Sequence, residues 1–307
     1  MHGLKLSRQY YEDVGLPLLQ TEFAAELETI AVGLVGDGSD CLGFDDKFST
    51  DHDWGPGFCC WLRQEDFQVF GERLRAAYTR LPTAFLGHER KTSEWGDNRV
   101  GVFEIGAFYR RFLGRQGVPA SLADWMRLPE ANLAACTSGE IFRDPPGEFS
   151  RIRSHLLAYY PDDVRLAKIA ARCMSAGQAG QYNFHRSFWR GEHYAAQHAE
   201  TKFCADAMSI VYLLNRRYAP FYKWVHRGMT GLPRLGRLVA QKVNALIASP
   251  DYEDKKRLIV EIAEAIVLEL QDEGLSDAEG PFLVDHGPRV HTRIADPGLR
   301  HLNVWVG

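Results

Sequence analysis

Six aspartates crowd into residues 33–54, GLVGDGSDCLGFDDKFSTDHDW, with glycines at 36, 38 and 43 among them. Packed carboxylates repel one another, so such a cluster needs a cation or strong hydrogen-bond donors inside it. Two parts of the stretch carry distinct chemistry. In Gly36-Asp37-Gly38-Ser39 the glycines let the backbone come close to a ligand, and Ser39 with neighbouring N–H groups can donate to phosphate oxygens. Beyond the serine, Asp51-His52-Asp53 spaces two carboxylates at i, i+2, which a strand turns to the same side. Such a pair suits Mg2+, which takes one or two carboxylates and completes its shell with substrate phosphates and water. Two ions so held can clamp an in-line phosphoryl displacement.

Rival patterns fit less well. A calcium loop begun at Asp37 would need a side-chain oxygen at Cys41, glycine at Leu42 and glutamate at Phe48. A Walker loop needs Gly-Lys-Ser/Thr, and a dinucleotide fingerprint needs glycine where Cys41 stands. The plainest alternative is a polar surface loop of turn-forming Asp and Gly.

The elements that must hold these groups are legible around them. Residues 30–35, IAVGLV, form a short bounded apolar run that predicts a strand leading into the glycine turn. FCCWL (58–62) predicts a second strand directly after Asp51 and Asp53, RVGVFEIG (99–106) a third, and EIF (140–142) a fourth, stopped by Asp144-Pro145-Pro146-Gly147. Residues 64–81 place Phe67, Phe70, Leu74, Ala77 and Leu81 on one helical face, and residues 7–28 read as helix interrupted near Gly15 and Pro17. After residue 148 only helical patterns remain, at 161–175, 193–218, 234–248 and 252–273, the last with Gly274 as its cap. The expectation is an α+β protein: a small mixed-sheet domain with N-terminal helices over 1–148, then an all-α domain over 149–307. DHGPRVH (285–291) predicts a turn at Gly287-Pro288, and the apolar end, LNVWV, is expected to dock on the body.

The order GDGSD, at the end of a strand, then DHDW resembles the signature of the nucleotidyltransferase superfamily, the polymerase-beta-like fold, which is Gly-Ser followed by Asp-x-Asp. More narrowly, GDGSDCLGFDDKFSTDHDWGPGF, TSGEIFRDPPGEF and LNRRYAPFYKW resemble a bacterial nucleotidyltransferase-like family of unknown function. The resemblance implies phosphate binding by Gly38 and Ser39, and metal-binding, catalytic roles for Asp51 and Asp53. It also implies a third carboxylate on a later strand. Glu104 is the candidate, with a charged strand end as its plainer alternative and Glu94 and Asp97 as rivals. His52 departs from the apolar residue usual between the two aspartates.

In such enzymes a helical domain closes the cleft. Lys202 and Lys223, with Arg216 and Arg217, are the candidates to reach nucleotide phosphates from it, and a solvated helix face is the plainer reading of each. Tyr218, Phe221, Tyr222 and Trp224 are candidates for an aromatic wall, and QYNFHRSFWRGEHY (181–194) for the acceptor pocket or helix packing. The implied activity is transfer of a nucleoside monophosphate, AMP from ATP, with one or two Mg2+ ions, to a hydroxyl of a small molecule or protein, releasing pyrophosphate. The alternative is a non-catalytic nucleotide-binding regulatory or toxin–antitoxin-type module on the same fold.

Composition narrows the partners. The 307 residues are 45% hydrophobic and 25% charged with net charge −4, which gives no basic footprint for bulk nucleic acid. No apolar stretch approaches the ~18 residues of a membrane span, and the N-terminus lacks a signal-type apolar core. Cys41, Cys59, Cys60, Cys136, Cys173 and Cys204 form no CxxC pair. They read as free thiols of a cytoplasmic protein.

Overall fold

The computed structural model describes residues 2–91, 93 and 99–307. The apolar runs around the aspartate-rich stretch become short strands: β1 (Ala31–Leu34) and β2 (Cys59–Leu62), then, after a separate two-stranded ribbon of β3 (Ala84–Phe85) and β4 (His88–Glu89), β5 (Gly101–Glu104) and β6 (Glu140–Arg143). The main sheet has the order β5-β2-β1-β6 and is mixed: β1 runs antiparallel to β2 and β6, while β2 and β5 are parallel. Gly33 faces Cys59, and Cys59 sits beside Gly101. The exit of β1 and the entries of β2 and β5 therefore share one end of the sheet.

Period-two alternation assigns each face its partner. Val32, Cys60 and Leu62 pack with Tyr10, Tyr11, Phe23, Phe70, Leu74 and Tyr78 from helices on one side. On the other, Trp61 stacks on Phe149 at 3.8 Å between ring centres and meets Phe108 edge-on at 5.4 Å. Truncating such a fully buried aromatic typically costs about 3–5 kcal/mol. The protein is thus α+β, with a small mixed sheet between helices and a helical C-terminal half.

The chain divides into two units, residues 1–118 with 128–158 and residues 119–127 with 159–307. The helix Glu148–Leu157 belongs to the first unit, because Phe149 is the ring that covers Trp61. In the second, the helix Asp162–Ala176 continues through a π-helical segment, Gly177–Phe184, into His185–Trp189. The helices His193–Leu214, Gly236–Ala248, Tyr252–Asp272 and Leu283–His291 complete its core. No helix among the described residues is long and apolar enough to cross a membrane.

Several expectations give way to packing. The strand expected over 99–106 stops at Glu104, and Ile105–Leu113 is a helix, with Ile105, Phe108, Tyr109 and Phe112 spaced to bury one face. The turn expected at 285–291 is the helix Leu283–His291, Pro288 included. Gly287 explains it: a Cβ there would lie 2.6 Å from the sulfur of Met174, so its absence lets this helix press onto Asp162–Ala176. The interruption near Gly15 is a π-helical turn, Tyr11–Gly15, within a continuing helical path. At the apolar end, Trp305 and Val306 stay 43% and 45% exposed, although the Gly307 carbonyl accepts from Arg172 at 3.2 Å.

Candidate functional site

β1 delivers the chain into Gly36 (φ 131°), Asp37, Gly38 (φ 135°) and Ser39, backbone angles that favour glycine at 36 and 38. The cation that makes the aspartate cluster tolerable is Arg99, just ahead of β5. Its Nε donates to the Asp37 carbonyl at 2.7 Å, its Nη1 to the Asp53 carbonyl at 2.6 Å, and its Nη2 to the carboxylate of Asp40. Asp40 is 1% exposed. A Cβ on Gly38 would collide with Nη2 of Arg99, so the missing side chain at this glycine makes room for the guanidinium. Burial pulls the Arg99 pKa down, but the charge of Asp40 and the neighbouring Cys41 outweigh it, and the pKa rises. One side chain thus joins the glycine turn to the DHD segment across the end of the sheet.

Two further aspartates find donors. Asp45 is buried and accepts from the Gly3 amide at 2.7 Å, the Trp54 indole at 3.2 Å and His2 at 3.1 Å. Burial raises its pKa, but these bonds overcome it and hold the carboxyl below its usual range. Asp46 accepts from the Phe48 amide at 2.9 Å and turns the loop. Among the described residues the Ser39 hydroxyl has no hydrogen-bond partner.

Asp51-His52-Asp53 does not form the expected strand. Gly55-Pro56-Gly57 delays β2 until Cys59, so the aspartates lie in a bend, with Asp53 at φ 49°. Asp53 accepts from the Ser93 amide at 2.8 Å and the Ser93 hydroxyl at 2.7 Å. Burial would raise its carboxyl, but the two Ser93 bonds, with His52 and Arg99 nearby, hold it below the ordinary range and keep it ionised. Asp51 is exposed and pairs with Nδ1 of His52 at 2.6 Å, so His52 turns toward the neighbouring carboxylate rather than away from it.

Glu104 is not brought to these groups. Its oxygens accept from the amides of Gly106 and Ala107, both at 2.6 Å, and cap the helix Ile105–Leu113. Glu104 sits beside Leu62, at the opposite end of the β2–β5 pair from Arg99. Glu94 and Asp97 lie outside the described residues. Among the described residues no three His, Cys, Asp or Glu side chains gather to hold a metal.

Lys202 and Lys223 belong to the helical unit. Lys202 binds Asp206 at 2.5 Å one turn along its own helix. Lys223 is exposed, with its ammonium 5.5 Å from the centre of the Trp224 ring. Of the expected aromatic wall, Phe221 and Tyr222 are exposed neighbours, whereas Tyr218 packs on Tyr159 and Tyr160.

Beside Asp53 a cleft of about 710 Å³ opens over β5. Its walls include Arg75, Arg90, Lys91, Arg99 and Arg111, its apolar floor Val100, Val102 and Phe103, and Asp53 is the acidic residue that lines it among the described residues. A family described as a domain of unknown function, DUF4037, matches residues 125–225, about a third of the chain. Among solved structures the chain is similar to a nucleotidyltransferase-like protein from Exiguobacterium sibiricum 255-15, with 13% identity, a TM-score of 0.39, and coverage of 93% of this chain and 78% of that one. No curated protein matches. The family match leaves Gly36–Ser39, Asp53 and Arg99 outside its span.

As a donor set for magnesium, Asp51 and Asp53 supply two carboxylates, although both oxygens of Asp53 already accept from Ser93, and Glu104, spent in its helix cap, adds none. Asp53 is ionised at the mouth of a cationic cleft and Asp51 is open to solvent two residues away, the one-or-two-carboxylate share that Mg2+ asks of a protein. Sequence spacing missed Arg99, Ser93 and Asp40. The last stands in GDGSD itself. The partnership of Arg99, some sixty residues downstream, has no local signal.

Proposed function

We propose that the sheet unit binds a nucleoside triphosphate, ATP, with Mg2+ and transfers its nucleoside monophosphate to a hydroxyl, releasing pyrophosphate. The observation that carries this reading is the Arg99 bridge, which joins the Gly36–Ser39 turn to Asp53 at one end of the sheet. The Ser39 hydroxyl, without a partner among the described residues, and the turn amides are offered to phosphate oxygens, and Arg99 fixes the turn that presents them. Asp51 and Asp53 would hold the magnesium, which neutralises triphosphate charge when bound. The bond that forms joins the acceptor oxygen to the α-phosphorus. The bond that breaks is the α–β bridge, whose electron pair leaves with pyrophosphate. The acceptor proton passes to Asp51, whose carboxylate carries no backbone or hydroxyl hydrogen bond among the described residues.

Titration of the protein with Mg-ATP, followed by a pyrophosphate-release assay, tests the reading. Binding with release is expected, and loss of both in Asp53→Asn. Equal release by that variant would remove Asp53 from the site. A second reading, a nucleotide-binding regulatory module without turnover, is favoured by the engagement of Glu104 in a helix cap, which takes the candidate third carboxylate out of the cluster. Mg-ATP binding without release under any acceptor condition selects it.

A further inference from the structure

We propose that the cleft beside Asp53 is an anion site, and that the acceptor alcohol bears a phosphate group. The word acceptor rests on the transfer reading above; the anion site does not. The argument is one of charge left over. Arg99 is spent on the turn and Asp40. Arg75 is partly spent, on Glu72 at 2.5 Å and the Val102 carbonyl at 3.3 Å. Among the described residues Arg90 meets a ring and a hydroxyl rather than an acid: its guanidinium lies 5.7 Å from the centre of Tyr78 and 3.4 Å from the tyrosine oxygen. Lys91 makes no ion pair among the described residues.

A cleft with surplus charge of one sign over an apolar floor focuses its field and draws the opposite ion. Guanidinium adds a fork that matches phosphate oxygens. The same surplus repels a polyamine acceptor, since like charges brought together are penalised. Position assigns the role. The turn residues Gly36–Ser39 do not line the cleft, whereas Arg99 lines it and bonds both the turn and Asp53, which also lines it. A triphosphate on the turn and a phosphate-bearing alcohol in the cleft would meet at Asp53.

The test uses the full chain and inorganic phosphate as probe, read by melting temperature and by 31P line broadening at low salt, with and without a saturating non-hydrolysable ATP analogue and Mg2+. Phosphate is expected to bind in both conditions. The double variant Arg90→Ala/Lys91→Ala should weaken phosphate by about tenfold or more while changing analogue affinity by less than about twofold. Arg90→Lys in place of alanine should recover part of the loss, and circular dichroism should be unchanged throughout. The proposal is overturned by absence of phosphate binding, by binding that ignores the double variant, or by displacement of phosphate by the analogue, which would give the cleft to the triphosphate. Phosphate binding through Arg90 and Lys91 in a protein that ignores the analogue defeats the nucleotide reading and leaves the anion site standing.

Discussion

Arg99 and Arg165 are both largely buried cations, each paired with a carboxylate, and they do different work. Arg165 in the helical unit binds Glu273 at 2.6 Å and the Leu213 carbonyl at 2.8 Å, tying the ends of helices whose own hydrogen bonds already hold them. Arg99 in the sheet unit binds backbone carbonyls and a carboxylate in three loop positions that no ladder supports. The same pattern recurs nearby: Lys255–Glu200 locks two helices, while Asp45 gathers Gly3, His2 and Trp54 around an irregular loop. Where secondary structure satisfies the backbone, a buried charge adds cohesion. Where it does not, the charge dictates geometry.

Substitutions can break or sharpen that contrast. The largest effect is expected from Asp53→Asn, which should lower pyrophosphate release by about 100-fold or more, a typical loss for one transition-state contact, with unchanged circular dichroism. Next come the two arginines. Arg165→Met removes one of two arginines on Glu273, which keeps Arg234 at 2.6 Å, and should cost about 1.5–3 kcal/mol in urea unfolding while leaving Mg-ATP affinity alone. Arg99→Met should destabilise comparably and also weaken Mg-ATP by about tenfold or more; equal affinity in both variants would erase the distinction. Gly38→Ala, with φ 135° and a guanidinium in the way, should cost about 1–3 kcal/mol and shift the same affinity.

The smallest effect is on pH dependence. The carboxyls of Asp45 and Asp53 sit below their ordinary range, so their contribution is present above the unfolded value of about 3.9 and is lost as pH falls through the lower folded value. The melting temperature should fall as pH drops below about 4, and Asp45→Asn should flatten part of that fall.

Much of this was legible in the chain, by physical routes that also show where legibility stops. β1, β2 and β6 are bounded apolar runs, and the long helices announce themselves by three-and-four spacing. The failures share a cause. Asp51-His52-Asp53 reads as the start of β2 only if Gly55-Pro56-Gly57 is passed over, and those residues hold the strand back. VFEIG looks strand-like until Glu104 is seen as the cap of the next helix, a role that depends on amides two and three residues on. The missing side chain of Gly38 also admits an arginine from a distant segment, which no neighbouring residue announces. Local patterns report what a residue can do; which partner arrives from elsewhere is decided by the fold.

The Arg99 bridge also keeps time. Cys41 lies with its sulfur 3.8 Å from Nη2 of Arg99, and the Cys59 thiol donates to the Arg99 carbonyl at 3.4 Å. Both thiols are buried, and burial pushes them up, Cys59 to about 12, so neither offers the thiolate that an alkylating reagent needs. Each must wait for the bridge to open. Cys173 and Cys204, also raised to about 12, wait instead for the helical unit to come apart. Labelling of these four thiols under native conditions therefore yields two clocks in one chain, one for the breathing of the site and one for its scaffold.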